Sequence, residues 1–595
     1  MLRNRIALVL TALLAAASAT LAKPTLRIIP KRVVFTSLLQ HVDVRVQLPA
    51  RDPAFSGYVS VIDTSNFASL TRYGVAISLK PGEDRVVRIP LPGPQFNPPT
   101  YHAELSANRD LSKFVSYANS KPEQPAFVAG SAAIILGGNA SERQSIINRL
   151  RNVPVPLTMN GYNGVATYTA IKGLPQGGSA GTSPSASMKG AESIPKLRVL
   201  VPRFSTDVSD WASVNFGRAL AVAVLPGGSS PDIRKALQVY ADFGGIVIDA
   251  AHLNLRNTHG TVIPVSGVSD VSRVLTNTDD LARRYVAAQS GHVFISAGMS
   301  DREMLSAPEL KSPSTSLIFV LLALYTLVAI PVLYFVLKRS GKRELAWVAL
   351  PGIAAGFTGI FGIMGAMSRP TAPFAQHREL IAGTLNSPNV RSQETFSIYN
   401  GAAKQVLLDV PSQGAMTLAN GSITADGRVS GFVNVPQWAM ATTSVDSPTY
   451  DLGGSVNLSR LPNGDYKVTN NTTLSLSGAS LGRRLGNNVS VLETMNPGQS
   501  AVVSQKELQG AGNPGQPSFD VGWGFTLNDQ IENGYSDASA VMNGSDYYFK
   551  ARIMDIPNSI QLDGKPLKIV RSQRMLFLRC EETGILTYVP APSSK

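Results

Sequence analysis

Two apolar runs joined by a short basic segment set the tightest limit on how this chain folds. Residues 316–337 give 22 positions without a charge, and 345–367 give 23 more. A helix rises about 1.5 Å per residue, so ~20 apolar residues cross ~30 Å of hydrocarbon, and both runs suffice. The seven residues 338–344 between them include four cations, Lys338, Arg339, Lys342 and Arg343. Moving Lys or Arg across a bilayer is disfavoured, so this loop is expected on the cytoplasmic side and the hairpin runs out–in–out. Neither span holds an ionisable residue, which argues against an ion or proton path through the hairpin.

The second span places Gly352, Gly356, Gly359, Gly362 and Ala366 on one helical face. Small residues there permit close backbone approach, either to the first span or to a partner helix. Pro331 in the first span removes one helical hydrogen bond and is expected to kink it. At the start of the chain, Arg3 and Arg5 precede an apolar run from Ile6 to Ala17 and then small residues. That pattern reads as an export signal over 1–22, cut after Ala19 or Ala22. An uncleaved anchor is the alternative, and either form delivers the following domain to the outside.

The chain has 595 residues, which allows three to five domains. Its net charge of +14 suggests an acidic partner at first sight, yet Arg3, Arg5 and the hairpin loop supply five of those charges. Elsewhere no Lys/Arg-rich run is interleaved with aromatics, so nucleic-acid binding loses its support. The single cysteine, Cys580, excludes a disulfide framework within the chain and any zinc site built on cysteine pairs.

Residues 23–125 alternate apolar and β-branched positions with polar ones, as in 32–36, 41–47, 57–62 and 85–90. Short strands with turns at this spacing predict a β-sandwich. From 126 to 310 the pattern changes to buried strands and helices. Strands are expected at 131–138, 219–225, 246–249 and 292–298, with helices at 142–150 and 232–243. Asn139 or Ser141 suits the cap of the first helix, and Pro231 the first position of the second. Strand–helix–strand order with short links predicts an α/β domain with a mostly parallel, flavodoxin-like sheet. Its 173–190 segment, rich in Gly, Ser, Pro and Ala, reads as a flexible loop. Residues 369–595 return to β patterning, at 394–399, 404–410, 455–459 and a 461–468 hairpin with an Asn-Gly turn. One or two sandwich-like units are expected there, with a break near 500–518.

The α/β region resembles the class I glutamine amidotransferase-like fold. The likeness rests on Leu225-Pro-Gly-Gly228, then Gly244-Gly245, then a strand entering a sharp turn at Asp249-Ala-Ala-His252. In that family the last strand ends in a G-x-C-x-G elbow whose thiolate attacks the glutamine amide. Here the elbow falls near Ala250 or Ala251, its glycines are absent, and Cys580 lies in another region. The resemblance therefore implies a degenerate domain with the fold kept and the family reaction lost. The overall plan is similar to a group of bacterial envelope membrane proteins with no established activity. The matching segments are Pro331-Val-Leu-Tyr-Phe-Val-Leu-Lys338 and Arg343-Glu-Leu-Ala-Trp-Val-Ala-Leu-Pro351.

Open α/β sheets place ligands beyond the carboxyl ends of their strands. Gly227, Gly228 and Ser229, ahead of a helix, are candidate anion binders, and Asp249 and His252 line the same crevice. His259 and Asp301 are further candidates for a metal there, set against a plainer reading of Asp249 as a cap and His252 as a surface residue. Ser296 lacks an elbow's leading glycine. His41, His102 and His377 lack patterned partners and read as structural, and Asn457 and Asn471 as turn residues.

The sequence thus predicts a multidomain protein of the bacterial inner (plasma) membrane: an N-terminal β-sandwich, an α/β domain, a two-helix transmembrane hairpin and a C-terminal β-rich region. The large domains are expected on the periplasmic or extracellular side. The expected role is a non-catalytic scaffold, ligand reader or accessory subunit of an envelope complex, without a cofactor or a catalytic residue. Its partners are the membrane and envelope proteins, and any small ligand is left open. The rivals are an exported hydrolase using the Asp249/His252 crevice and an auxiliary subunit of a transporter recruited by the glycine face.

Overall fold

The computed structural model describes residues 24–28, 39–63, 72–92, 101–109, 114–119, 132–159, 166–168, 196–200, 219–228, 230–242, 244–257, 261–290, 315–367, 370, 372–412, 414–417, 421–437, 439–483, 488–509, 547–555, 559–580 and 586–587. The expected export signal, the 32–36 and 292–298 strands, the 173–190 loop, and the residues Ser229, His259 and Asp301 lie outside them.

The chain is rich in strands, with several sheets, a few helices and two apolar helices. Near the N-terminus, a three-stranded antiparallel sheet (Thr25–Ile28, Leu39–Gln47, Asp84–Pro92) faces strands Phe55–Asp63, Arg72–Leu79 and Tyr101–Ser106. Alternation explains the two layers. Val42, Val44 and Val46 turn inward on one sheet and Val59, Val61 and Leu105 on the other, sharing one core. The second layer does not end with these residues. Its strand Arg72–Leu79 pairs in parallel with Gly421–Ala425, which lies beyond the apolar hairpin in sequence. The result is one nine-stranded sheet built from both regions that the sequence divides at the hairpin. Any bilayer crossed by both helices therefore has these two strands on the same side.

Between them in sequence, five parallel strands form a sheet in the spatial order Arg198–Leu200, Ala132–Leu136, Ala221–Val224, Val247–Asp249, Val262–Pro264. The first and last of these carry no clear signal in the sequence. Helices Ala140–Leu150 and Pro231–Asp242 start where expected. Asn139 and Glu142 form a reciprocal cap on the first, and Pro231 opens the second. Cores on both sheet faces draw on alternate strand residues, with Ala221 and Ala223 on one side and Val222 and Val224 on the other.

Two helical stretches, Thr315–Ser340 and Arg343–Gly365, are long and apolar enough to cross a membrane. All the large apolar side chains exposed among the described residues belong to this hairpin, except Val86, Val502 and Met554. Such a concentration is unfavourable in water. Around Pro331 the helix widens into a π-turn, Val328–Val332, where the Leu333 N–H reaches back to the Val328 carbonyl. This is how the chain accommodates the proline's missing donor. Gly341, at φ 70°, closes the first helix in the left-handed conformation.

The C-terminal body centres on an eight-stranded sheet that includes Asn389–Tyr399, Phe374–Thr384 and Lys568–Cys580 as neighbours. One face of this sheet meets two separate apolar cores. Ala375, Phe396, Ile398 and Val445 pack against the nine-stranded sheet, and Ile381, Val390, Leu576 and Leu578 pack into a second core with Leu458 and Val468 of the four-stranded sheet.

Candidate functional site

The crest of the parallel sheet is closed by its own groups. Asp249 is buried, and its carboxylate accepts the backbone N–H of Ala251 at 3.1 Å and of Leu253 at 2.7 Å. His252 is exposed and takes the left-handed conformation at φ 55°, a region His tolerates better than most residues. The turn beyond the strand is thus left-handed at His252, which follows Ala250 and Ala251 directly. No group of three or more His, Cys, Asp or Glu side chains that could hold a metal occurs among the described residues. The Gly228 N–H donates to the Leu225 carbonyl at 3.0 Å, inside the turn. Gly137, at φ 75°, lies so close that a Cβ there would fall 2.3 Å from the Gly228 nitrogen. Gly227 is exposed with open space around it. The neighbouring helix start is also filled, since Glu142 Oε2 accepts the Asn139 N–H at 2.8 Å.

In the hairpin, Lys338 and Arg339 end the first helix, and Lys342 and Arg343 follow the Gly341 turn. Lys338 Nζ sits 5.7 Å from the centre of the Tyr334 ring. Gly352, Gly356, Gly359 and Gly362 face open space, because a Cβ at any of them meets nothing within 4 Å. Contact between the spans includes Tyr325 and Phe357, edge to face at 5.3 Å.

The most unusual chemistry lies elsewhere, around His377, whose partners the sequence leaves unidentified. Strand alternation sends His377 and Glu379 to the same sheet face as Ala375 and Ile381. Directly opposite them on the next strand stand Phe396 and Glu394, and on the other side Ser572 and Arg574. All four ionisable groups are buried. His377 Nε2 lies 3.2 Å from Glu394 Oε2, and its Nδ1 lies 3.0 Å from Ser572 Oγ. The imidazole stacks on Phe396 at 4.9 Å. Arg574 Nε donates to Glu379 Oε2, NH1 to the Asp555 carbonyl at 2.8 Å, and NH2 to the Tyr450 hydroxyl at 2.9 Å. Ser392 Oγ donates to the other Glu379 oxygen at 2.6 Å.

Burial pushes the Glu394 carboxyl up to about 7, against a smaller downward pull from Arg574. Burial pushes His377 down to about 4, with Glu379 pulling it up and Arg574 pulling it down. Burial and the neighbouring Glu394 also raise Glu379, opposed by Arg574, His377 and the Ser392 hydrogen bond. When Glu394 holds its proton and His377 is neutral, the acid donates to Nε2 and Nδ1–H donates to Ser572 Oγ. Arg574 and Glu379 then form a balanced ion pair, and the whole cluster is electrically neutral. The sequence signal is the pair His377-x-Glu379 at strand spacing, on the same strand face as Ala375 and Ile381. Its cation comes from a strand 195 residues away.

A second polar joint fastens the parallel-sheet unit to this body. Asp242, at the end of helix Pro231–Asp242, is fully buried. Its carboxylate accepts from Gln238 Nε2 at 2.8 Å, Arg256 at 3.1 Å, Ser387 Oγ at 2.7 Å and Asn389 Nδ2 at 2.9 Å. Thr384 Oγ1 donates to its backbone carbonyl at 2.6 Å.

No protein family model matches the chain, and no curated protein matches it. Solved structures give distant likenesses. One is the beta-glucosidase from Kluyveromyces marxianus in complex with glucose, at 17% identity and a TM-score of 0.13, covering 17% of this chain and 14% of the enzyme. Another is a glycosyl hydrolase family 2 member from Bacteroides cellulosilyticus, at 11% identity and a TM-score of 0.13, covering 91% and 78% of the two chains. A third is a Paenibacillus cycloisomaltooligosaccharide glucanotransferase complexed with cycloisomaltoheptaose, at 8% identity and a TM-score of 0.15, covering 72% and 70%. The chain thus spans a small part of the first of these enzymes, and the superpositions are too poor to bear on fold or activity.

Proposed function

We propose that this chain is a non-catalytic, membrane-anchored envelope protein serving as a scaffold or accessory subunit. The observation that carries this reading is the sheet shared between residues 72–79 and 421–425. A body closed across its own hairpin is anchored at two adjacent points and presents fixed surfaces, as a scaffold requires. The four loop cations support a cytoplasmic loop in the inner (plasma) membrane, with the body on the periplasmic or extracellular side. The five parallel strands and the turn at Asp249–His252 support an amidotransferase-like ancestry. The alanines at the elbow and the commitment of both Asp249 oxygens to backbone N–H groups favour binding over turnover and weigh against the hydrolase reading. The open glycine face favours a partner helix in the membrane, which keeps a transporter subunit as a second form of the same role. Extraction in mild detergent followed by native mass spectrometry tests the proposal. A defined heteromeric complex is expected, and a homogeneous monomer from native membranes overturns it.

A further inference from the structure

We propose that the Glu394–His377 pair is a proton-binding site, and that losing its proton loosens the seam between the two cores of the C-terminal body. The inference goes beyond the scaffold reading and does not depend on it. Its basis is position. Strand Phe374–Thr384 gives Ala375 to one core and Ile381 to the other, with His377 and Glu379 between them. Strand Asn389–Tyr399 repeats the arrangement in reverse, with Val390 in the second core, Phe396 and Ile398 in the first, and Glu394 between. The polar cluster is the bridge across which the two apolar cores connect.

Two carboxylates and one imidazole share a single guanidinium here. The groups facing the pair are Glu379 from its own strand, Arg574 and Ser572 from Lys568–Cys580, and Thr443, Val445 and Tyr450 from Met440–Asp451. The sheet packed opposite supplies apolar side chains such as Val406, Leu408 and Leu562. Arg378 and Arg391 sit at alternate strand positions, on the other sheet face. With one proton on the pair, the cluster is balanced. Without it, Glu394 places a second negative charge directly opposite Glu379 in the ladder, in a site with no further cation among the described residues.

The sign follows from linkage. Glu394 moves up from 4.5 to about 7, so its contribution is complete below about 4.5 and is lost as pH rises through about 7. His377 moves down from 6.5 to about 4, so its contribution is present above about 6.5 and is lost as pH falls through about 4. Between about 4.5 and 6.5 the slopes oppose each other; above 6.5 His377 no longer opposes the loss at Glu394, and the raised Glu379 adds to it in the same direction.

The test is amide hydrogen exchange on the full chain in lipid nanodiscs, at about pH 6 and about pH 8.5 with intrinsic rates corrected. Peptides from 374–384, 389–399 and 568–580 are expected to lose protection about tenfold at the higher pH, while the parallel sheet does not respond. Glu394→Gln keeps a donor for His377 Nε2 and removes the Glu394 titration, so it is expected to cut the response to what Glu379 contributes. Unchanged protection in the wild-type chain, or a full response in the Gln variant, overturns the proposal. Should that variant not fold, infrared difference spectra of the wild-type chain serve instead. A protonated carboxyl band present at the lower pH and lost at the higher supports the site, and no such band overturns it.

Discussion

The Arg109 guanidinium donates to the Ser430 hydroxyl at 2.8 Å, tying residues before the apolar hairpin to residues after it. The parallel ladder from Arg72–Gly421 to Val75–Thr424 makes the same connection through the backbone. Cysteines at Val75 and Thr424 are therefore expected to cross-link, since paired positions fall in the range a disulfide spans. After proteolysis within 338–344, the two fragments should migrate as one under non-reducing conditions and separate on reduction. Cys580 is buried and should not compete.

The same burial makes labelling clean for topology. Ala54→Cys in the N-terminal sandwich and Ser340→Cys in the basic loop should react from opposite sides of sealed, right-side-out vesicles. An impermeant maleimide is expected to modify the first directly and the second only after permeabilisation. Reaction of both from outside contradicts the proposed orientation.

Asp242 is the shared acceptor of four side chains from two structural units. Asp242→Ala leaves Ser387 and Asn389 without this acceptor, at a cost of about 1.5–3 kcal/mol for a hydrogen-bonded charge. Arg256 is partly exposed and can turn to water, which keeps the loss toward the lower end. Calorimetry should show the parallel-sheet unit melting apart from the C-terminal body, where the wild-type chain melts together.

Gly137 and Gly227 share a left-handed backbone but not their surroundings. Gly137→Ala drives a Cβ into the Gly228 backbone and is expected to cost about 1–3 kcal/mol from overpacking, added to the left-handed penalty. Gly227→Ala meets nothing and should show only the conformational cost of about 1–2 kcal/mol. Chemical denaturation of the two variants side by side checks the difference.

Arg574 opposes the upward shift of Glu379. Arg574→Met removes that opposition, so Glu379 is expected to take up a proton at still higher pH. A folded-state carboxyl raised further loses stability over a wider range as pH rises. The urea-unfolding free energy of this variant should therefore fall off more steeply than the wild-type curve as pH rises above about 4.5, the ordinary value of the group. Equal slopes would show that Arg574 does not face Glu379 as described.

Two helices of the parallel-sheet unit and the two apolar helices were legible because their causes are local, whereas helices Val268–Thr276 and Thr278–Ser290 were not foreseen. Asn139 with Glu142 three residues on, Pro231 at a helix start, and two charge-free runs of spanning length all announce themselves in short windows. The pairing of 72–79 with 421–425 was not, since a parallel edge is chosen by two alternating segments that match equally well elsewhere. His377 reads as structural because nothing nearby identifies its partners. Ser572 and Arg574 reach it only through a strand register set by the whole sheet. The crevice at Asp249 was legible as a place, and the plainer reading of Asp249 as a cap and His252 as a surface residue agrees with the two N–H groups that the carboxylate accepts and the exposed imidazole.

The shared sheet also sets a timetable for biosynthesis. Strand Arg72–Leu79 leaves the ribosome long before its neighbour Gly421–Ala425 exists. At ~5–20 residues per second, the gap of roughly 340 residues lasts roughly 20–70 seconds, during which an edge of that sheet stays unpaired. Two helices long and apolar enough to cross a membrane are made in that interval. The nascent sandwich therefore needs protection from self-association until translation of the far side of the hairpin delivers the missing strand.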